Sequence, residues 1–363
     1  MTRERWPSAF EQVRRVLAER LAAQPLLGAQ LFVSRHGIPL LDAAIGEAQP
    51  GHPMSRDSVL YWSCAGKPLL ALAVALLVDE GALDFDDPVS RHLPEFGAGG
   101  KAGITIGDVL THSGGFRYLS GPGPYYERYD TFIERVNAAP LEPGWVPGRD
   151  QGYHQETGWY VLAALIEAKR AHGYPEDVVQ RICRPMGLES TWVTMSAEVH
   201  DSVRPRLAVP SYINRRGVRR VPYLISAPGC RTRIPSYGCY GTMADLGRLY
   251  EQVLLGLDGR GSSPVSRGTL ALMTGRGRGP TFDRTWKHEC EYARGFSRDV
   301  SKHWGFGSGW SASSFGMVGL VGHVCGGGDP ATGIVIAASF GALAHGQKDL
   351  EALMSSVYAG ALS

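Results

Sequence analysis

The longest apolar run of the chain begins just after residue 67. Residues 68–78 are almost entirely apolar, and Gly81 follows shortly after them. A segment that is apolar all round and closes with glycine is typical of a buried helix, and it is too short to cross a bilayer. Because proline is tolerated only in the first turn of a helix, Pro68 predicts a helix start near Ser63 or Cys64.

Two strand-like segments precede this helix. Residues 29–35 and 38–44 flank His36-Gly37, a pattern that predicts a hairpin with a glycine turn. Such a hairpin belongs in an antiparallel sheet. Upstream, residues 10–21 have the pattern of an amphipathic helix with charges of both signs.

Composition limits the possible partners. The 363 residues are 44% hydrophobic and carry a net charge of +2, so a large core is expected and neither nucleic acid nor an anionic membrane is indicated as a partner. The N-terminal segment lacks the apolar centre of a signal peptide, so we expect a cytoplasmic protein. The six cysteines show no C-x-x-C pair and no Cys/His metal spacing, which predicts reduced thiols and no structural zinc.

The start of the apolar helix also carries candidate chemistry. Lys67 follows Cys64 by three residues, so both lie on one helix face, close to the positive end of the helix dipole. Both influences favour the thiolate, which is the nucleophilic form of cysteine. Two alternatives remain: a structural cysteine beside a lysine that reaches solvent, or a nucleophile at Ser63, which also faces Lys67.

Six later segments strengthen the catalytic interpretation. Pro147-Gly148 followed by Tyr153 resembles a P-G-x-x-x-x-Y-S-N motif, and residues 104–115 resemble I-T-x-x-D-L-L-x-H-T-S-G. The full set of segments is 83–89, 104–115, 147–155, 236–246, 305–310 and 322–328. In this order and spacing they resemble the class C β-lactamase, esterase and D-aminopeptidase type of the serine β-lactamase and penicillin-binding-protein superfamily. Cys64 stands where that family has its nucleophilic serine.

The resemblance implies a fold and a domain organisation. The fold class is α/β (α+β), a β-lactamase/transpeptidase-like arrangement with an antiparallel sheet flanked by helices and a mostly helical lobe. Residues 1–363 would form a single catalytic unit. The α/β lobe would comprise approximately 1–62 and 235–363, and the helical lobe approximately 63–234. No metal or organic cofactor is implied.

The resemblance also implies roles for individual residues. Cys64 would be the nucleophile, and Lys67 and Tyr153 would hold its thiolate and move its proton. His323 would take the place of a second lysine and orient the substrate or Tyr153. The backbone N–H groups of Cys64 and Gly326 would form the oxyanion hole.

Three further positions are implied as substrate-binding residues. Gln155 replaces the asparagine of the family, Cys325 replaces a glycine of its last motif, and Trp310 belongs to a matched G-x-G-W segment. Trp310 would line an aromatic pocket together with Tyr125 and other aromatic residues, which have packing as their alternative role. His112, which also matches the family, is expected to support a turn.

A thiol nucleophile favours transfer over hydrolysis. Amines attack a thioester far more readily, relative to water, than they attack an oxygen ester. We therefore expect a transacylase that exchanges an ester for an amide without ATP, with a small-molecule acyl donor and an amine acceptor, in secondary-metabolite (antibiotic) biosynthesis. The alternatives are a cytoplasmic esterase or amidase, and a non-catalytic binding protein with a β-lactamase fold. Slow or no turnover of β-lactams is expected.

Overall fold

The computed structural model describes residues 6–23, 27–214, 216–277, 279–321 and 323–363. Gly322, within the last matched segment, lies outside these ranges. The strands are β1 Gly28–Arg35, β2 Ile38–Gln49, β3 His52–Pro53, β4 Leu60–Tyr61, β5 Thr191–Trp192, β6 Ser211–Asn214, β7 Gly217–Arg220, β8 Tyr240–Gly241, β9 Thr281–Phe282, β10 Glu289–Ala293, β11 Phe296–Arg298, β12 Phe315–Gly319, β13 Val324–Asp329 and β14 Ile334–Ser339.

Nine of these strands form one antiparallel sheet. Their order is β3-β2-β1-β14-β13-β12-β11-β10-β9, and β4-β8-β5 and β6-β7 form two small sheets. The predicted hairpin is the pair β1 and β2, with Phe32 opposite Asp42. Strand β12 pairs with β13 from Phe315 to Gly319 but with β11 only at Phe315 and Gly316. Towards its C-terminal end, β12 is therefore paired with β13 alone.

Helices cover both faces of the large sheet. They are α1 Glu11–Ala23, α2 Lys67–Asp79, α3 Val89–His92, α4 Ile106–Leu110, α5 Tyr129–Ala138, α6 Thr157–Lys169, α7 Tyr174–Val178, α8 Ala197–Val203, α9 Ala227–Arg231, α10 Met243–Leu257, α11 Arg267–Thr274 and α12 Gln347–Leu362. On β1, Leu31 and Val33 share a core with α1 and α12, whereas Phe32 packs on the opposite face against Gly247 of α10. This alternation follows from the two-residue period of a strand.

The predicted apolar helix is α2, and it is preceded by a short 3-10 turn at Ser63–Gly66. Every residue from Lys67 to Leu77 is buried, and α2 packs against α6. The predicted α/β class, an antiparallel sheet flanked by helices, is thus confirmed. Among the described residues, no helix combines the length and apolar character needed to span a membrane.

Candidate active site

The turn before α2 holds Cys64 in a crowded position. Ser63 has a left-handed φ of 52°, and the Cys64 side chain is almost fully buried, with 6% of the residue exposed. A Cβ added to Gly319 would lie 2.5 Å from the Trp62 carbonyl oxygen and 3.3 Å from the Cys64 nitrogen. Only glycine therefore allows β12 to approach this turn so closely.

Lys67 lies beneath Cys64 and is completely buried. Its Nζ donates hydrogen bonds to the carbonyl oxygens of Ser236, at 2.6 Å, and Gln155, at 3.0 Å, and it interacts electrostatically with the Cys64 side chain. Burial lowers the pKa of Lys67 from its ordinary value, and the neighbouring Cys64 opposes this shift. The alternative of a lysine that reaches solvent is wrong.

Tyr153 completes a cluster of three side chains. Its hydroxyl interacts with the Cys64 side chain, and burial followed by the proximity of Cys64 raises its pKa well above the ordinary value. Its backbone is fixed by the segment after β9: Asp283 Oδ2 accepts the Tyr153 N–H at 2.9 Å, and Thr285 Oγ1 donates to the Tyr153 carbonyl at 3.1 Å. The structure thus brings Cys64, Lys67 and Tyr153 together.

His112 holds the chain on both sides of Tyr153. Its carbonyl accepts the Gly152 N–H at 3.0 Å, and its Nδ1 accepts the His154 N–H at 3.1 Å. The His112 ring lies 4.6 Å from the Tyr153 ring, centre to centre. Burial lowers the pKa of His112 well below its ordinary value, so the ring is neutral and can keep accepting at Nδ1. This residue supports a turn and positions Tyr153.

Two cavities meet at Cys64. The narrow cavity, of about 50 Å³, extends between Tyr153, Trp286 and Met317. The wide cavity, of about 540 Å³, lies on the other side and is lined by tyrosines. Cys64, Gln155 and Leu320 border both. A carbonyl at the Cys64 thiol would therefore have space for a substituent on either side.

Comparisons with known proteins identify the family of this chain. The Beta-lactamase family model matches residues 13–352. The chain belongs to the Beta-lactamase family. It is 30% identical to esterase EstB of Burkholderia gladioli over 68% of this chain and 72% of that protein. It is 24% identical to the esterase/beta-lactamase LipL of Mycobacterium tuberculosis, over 90% of this chain and 80% of LipL.

A solved structure extends this likeness to the whole fold. The penicillin-binding protein homologue of Caulobacter crescentus superposes with a TM-score of 0.78 at 25% identity, covering 98% of each chain. The predicted β-lactamase/penicillin-binding-protein-like fold is confirmed. Of the site residues that the resemblance to the Beta-lactamase family implies, some line the two cavities and others do not.

Gln155 belongs to the group at the site, whereas Cys325 and Gly326 do not. The Gln155 side chain is exposed and lines both cavities. Cys325 lies on β13, where its Sγ donates to the Gly305 carbonyl at 3.5 Å. A Cβ added to Gly326 would meet the Tyr250 ring at 2.6 Å, so Gly326 faces α10. The neighbouring strand β12, which lies between β13 and β11, lines the narrow cavity.

His323 and Trp310 also lie outside the two cavities. His323 Nδ1 is 2.7 Å from the Gly341 carbonyl oxygen, and burial lowers the pKa of the ring. The Trp310 indole donates to the Phe306 carbonyl and packs on Tyr358. Trp310 instead lines a third cavity, which shares His288, His303 and Trp304 with the narrow one.

The sequence interpretation missed the residues of β12 and most of the tyrosines. Met317 and Val318 line the narrow cavity, and Leu320, directly after the strand, lines both. One signal was available: a glycine inside a strand, here Gly319, marks a place where another backbone approaches closely. The tyrosines offered no comparable signal, because they come from segments far apart in the chain.

Proposed function

We propose that the protein is an acyl-transfer enzyme that forms a thioester on Cys64 and passes the acyl group to an amine. The observation that carries the proposal is the position of Cys64 at the junction of two cavities, with buried Lys67 and Tyr153 close enough that Cys64 shifts the pKa of both. A nucleophile, a proton-transfer pair and space for two substrate portions are what acyl transfer requires. Relatives named as esterases support chemistry of this class.

In the first half-reaction, Cys64 Sγ attacks the carbonyl carbon of an ester. The neutral amine of Lys67, favoured by its lowered pKa, accepts the thiol proton. Tyr153, kept protonated by its raised pKa, donates its proton to the leaving oxygen and is reprotonated by Lys67. An alcohol leaves, and the acyl group remains on sulfur.

In the second half-reaction, the nitrogen of a neutral amine attacks the thioester carbon. The carbon–sulfur bond breaks, and the proton lost by the attacking amine returns through Tyr153 and Lys67 to the Cys64 sulfur. The products are an amide and the free enzyme, so no ATP is consumed. A thioester favours an amine over water, which is the reason for proposing transfer rather than hydrolysis.

We propose that two backbone N–H groups stabilise the negative oxygen that forms in both half-reactions. One belongs to Cys64 and the other to Leu320, because Leu320 borders both cavities beside Cys64 and directly follows the close approach at Gly319. This assignment replaces Gly326, which lies inside β13 between two paired strands and borders neither cavity. A role in secondary-metabolite biosynthesis within the cytoplasm remains part of the proposal.

The test is intact-protein mass spectrometry after incubation with methyl-ester and thioester acyl donors. We expect an acyl adduct on the unmodified chain and on Ser63→Ala, but none on Cys64→Ala. Ser63 is the matched control because it precedes Cys64 in the same turn and also lines the wide cavity. Added amines should discharge the adduct faster than water does. An adduct that persists in Cys64→Ala would disprove the assignment of the nucleophile.

Hydrolysis is the second candidate function, and the 30% identity to EstB favours it. In that case water would discharge the adduct as fast as amines do, and the products would be a carboxylic acid and an alcohol. Absence of an adduct with every donor would instead indicate a binding protein that retains the fold.

A further inference from the structure

The wide cavity is unusual in its chemistry. Six of the side chains that line it are tyrosines, contributed by five separate parts of the chain: Tyr61, Tyr125, Tyr126, Tyr212, Tyr223 and Tyr237. The remaining wall is mainly aliphatic, as at Leu224 and Val321. Among the described residues that line this cavity, none carries a charge.

The tyrosine rings hold one another in place. The Tyr125 ring lies 5.6 Å from the Tyr237 ring and 6.0 Å from the Tyr223 ring, measured between their centres. The Tyr61 and Tyr125 hydroxyls are 2.7 Å apart, and the Tyr237 hydroxyl donates to Glu156 Oε1 at 2.8 Å. Because these three hydroxyls already have partners, the rings are the part of these side chains left to contact a ligand.

The ionisable groups nearest the cavity already have hydrogen-bond partners. Lys67 donates to two backbone carbonyls, and Glu156 accepts the Tyr237 hydroxyl. Burial raises the pKa of Tyr61, Tyr125 and Tyr237, so their hydroxyls remain neutral. A ligand carboxylate placed among these rings would lose its hydration without gaining a cationic partner.

Size distinguishes the two sides of Cys64. The narrow cavity, at about 50 Å³, has room for a few water molecules or a small alcohol. The wide cavity, at about 540 Å³, lies within the range of pockets that bind drug-sized ligands. A ring system fits only the wide side.

From these observations we infer that the substrate of this site carries an uncharged aromatic group, which binds between Tyr125, Tyr223 and Tyr237 next to Cys64. The inference rests on the proposed function only in treating this cavity as the substrate site. It specifies the substrate class of that function: neutral aryl compounds are preferred, and carboxylates are disfavoured.

The experiment measures binding without any acyl transfer. Isothermal titration calorimetry gives the Kd of three probes: (naphthalen-2-yl)acetamide, the carboxylate of (naphthalen-2-yl)acetic acid, and hexanamide. A second assay follows the protection of Cys64 by each probe against iodoacetamide. We expect the neutral aryl amide to bind best, with the carboxylate weaker by about tenfold or more because its charge is unpaired in the cavity. Hexanamide should bind weakly as well, since it lacks the ring.

Two variants locate the binding to the tyrosines. Tyr223→Ala removes a half-exposed ring from the cavity and should weaken (naphthalen-2-yl)acetamide binding by roughly tenfold. Tyr118→Ala is the matched control, because Tyr118 is also exposed but does not line the cavity, and binding should not change.

Two results would overturn the inference. One is equal affinity of the unmodified chain for the amide and the carboxylate, a measurement that does not depend on the folding of any variant. The other is unchanged binding by a folded Tyr223→Ala protein. Either result leaves acyl transfer at Cys64 untouched, whereas a missing acyl adduct would remove the proposed function without affecting these binding constants.

Discussion

The two walls of the site contribute different parts of the chain. The helical wall supplies the side chains of the proposed chemistry: Cys64, Lys67 and Tyr153 are buried and lie together. The sheet wall supplies cavity-lining side chains such as Met317 and a close backbone approach, because β12 comes against the Cys64 turn at Gly319, which has no side chain. We therefore expect a change in the helical wall to alter the proposed reacting side chains, and a change in the sheet wall to alter their positions.

The largest expected effect comes from the helical wall. Lys67→Met keeps the length of the side chain but removes the amine that, in the proposed mechanism, accepts and returns the Cys64 proton. We expect the rate of acyl-adduct formation to fall by roughly 100- to 10,000-fold, which is the usual contribution of a positioned acid–base group. Stopped incubations analysed by intact-protein mass spectrometry give this rate.

A second buried lysine provides the control for this variant. Lys101 is also fully buried, and its Nζ donates to the carbonyl oxygens of Ala98 and Asn137 and to that of Ala139. Lys101→Met should lower the thermal midpoint as Lys67→Met does, because each leaves buried carbonyls without a donor. Only Lys67→Met should lose acylation. An equal loss in both variants would mean that Lys67 acts through stability alone.

The contrast between the walls explains what the sequence could predict. A thiol, an amine and a phenol have chemistry that their residue types specify, so helix spacing indicates Cys64 and Lys67, and the motif resemblance indicates Tyr153. A backbone N–H is present in almost every residue, and strand order decides which of them faces the nucleophile. The resemblance therefore pointed to Gly326 on β13, whereas Leu320, directly after β12, borders the site.

The fold was predictable for a related reason. The apolar run of α2 and the alternating strands of the β1–β2 hairpin are local patterns, and both appear in the structure. The wide cavity is not local, because Tyr61, Tyr125 and Tyr237 approach one another only after folding. No spacing within one segment encodes that contact.

An intermediate effect is expected from the sheet wall. Alanine at Gly319 places a Cβ 2.5 Å from the Trp62 carbonyl oxygen and 2.9 Å from the Ser63 Cβ, so the Cys64 turn must move. A displacement of about 1 Å at a reacting group can reduce a rate by roughly 100-fold, and we expect adduct formation to slow by about that factor. The same mass-spectrometric rate assay measures it.

Gly326→Ala is the matched substitution on the neighbouring strand. Its Cβ would meet the Tyr250 ring at 2.6 Å and Leu246 Cγ at 3.0 Å, both on α10. Overpacking of this kind costs about 1–3 kcal/mol of unfolding free energy, and we expect that loss in chemical denaturation with little change in acylation. A larger rate loss in Gly326→Ala than in Gly319→Ala would return the oxyanion site to β13.

The smallest effect is expected at Cys325, the second thiol that the resemblance placed in the pocket. Cys325 is fully buried on β13, its Sγ donates to the Gly305 carbonyl, and burial raises its pKa, so this thiol stays protonated and inaccessible. Cys325→Ala should leave acylation within about twofold of the unmodified chain and cost roughly 1 kcal/mol of stability. Limited alkylation of the folded protein by iodoacetamide should likewise be unchanged in Cys325→Ala and strongly reduced in Cys64→Ala. A marked loss of acylation in Cys325→Ala would show that the sheet wall also contributes a reacting side chain, and the distinction between the two walls would fail.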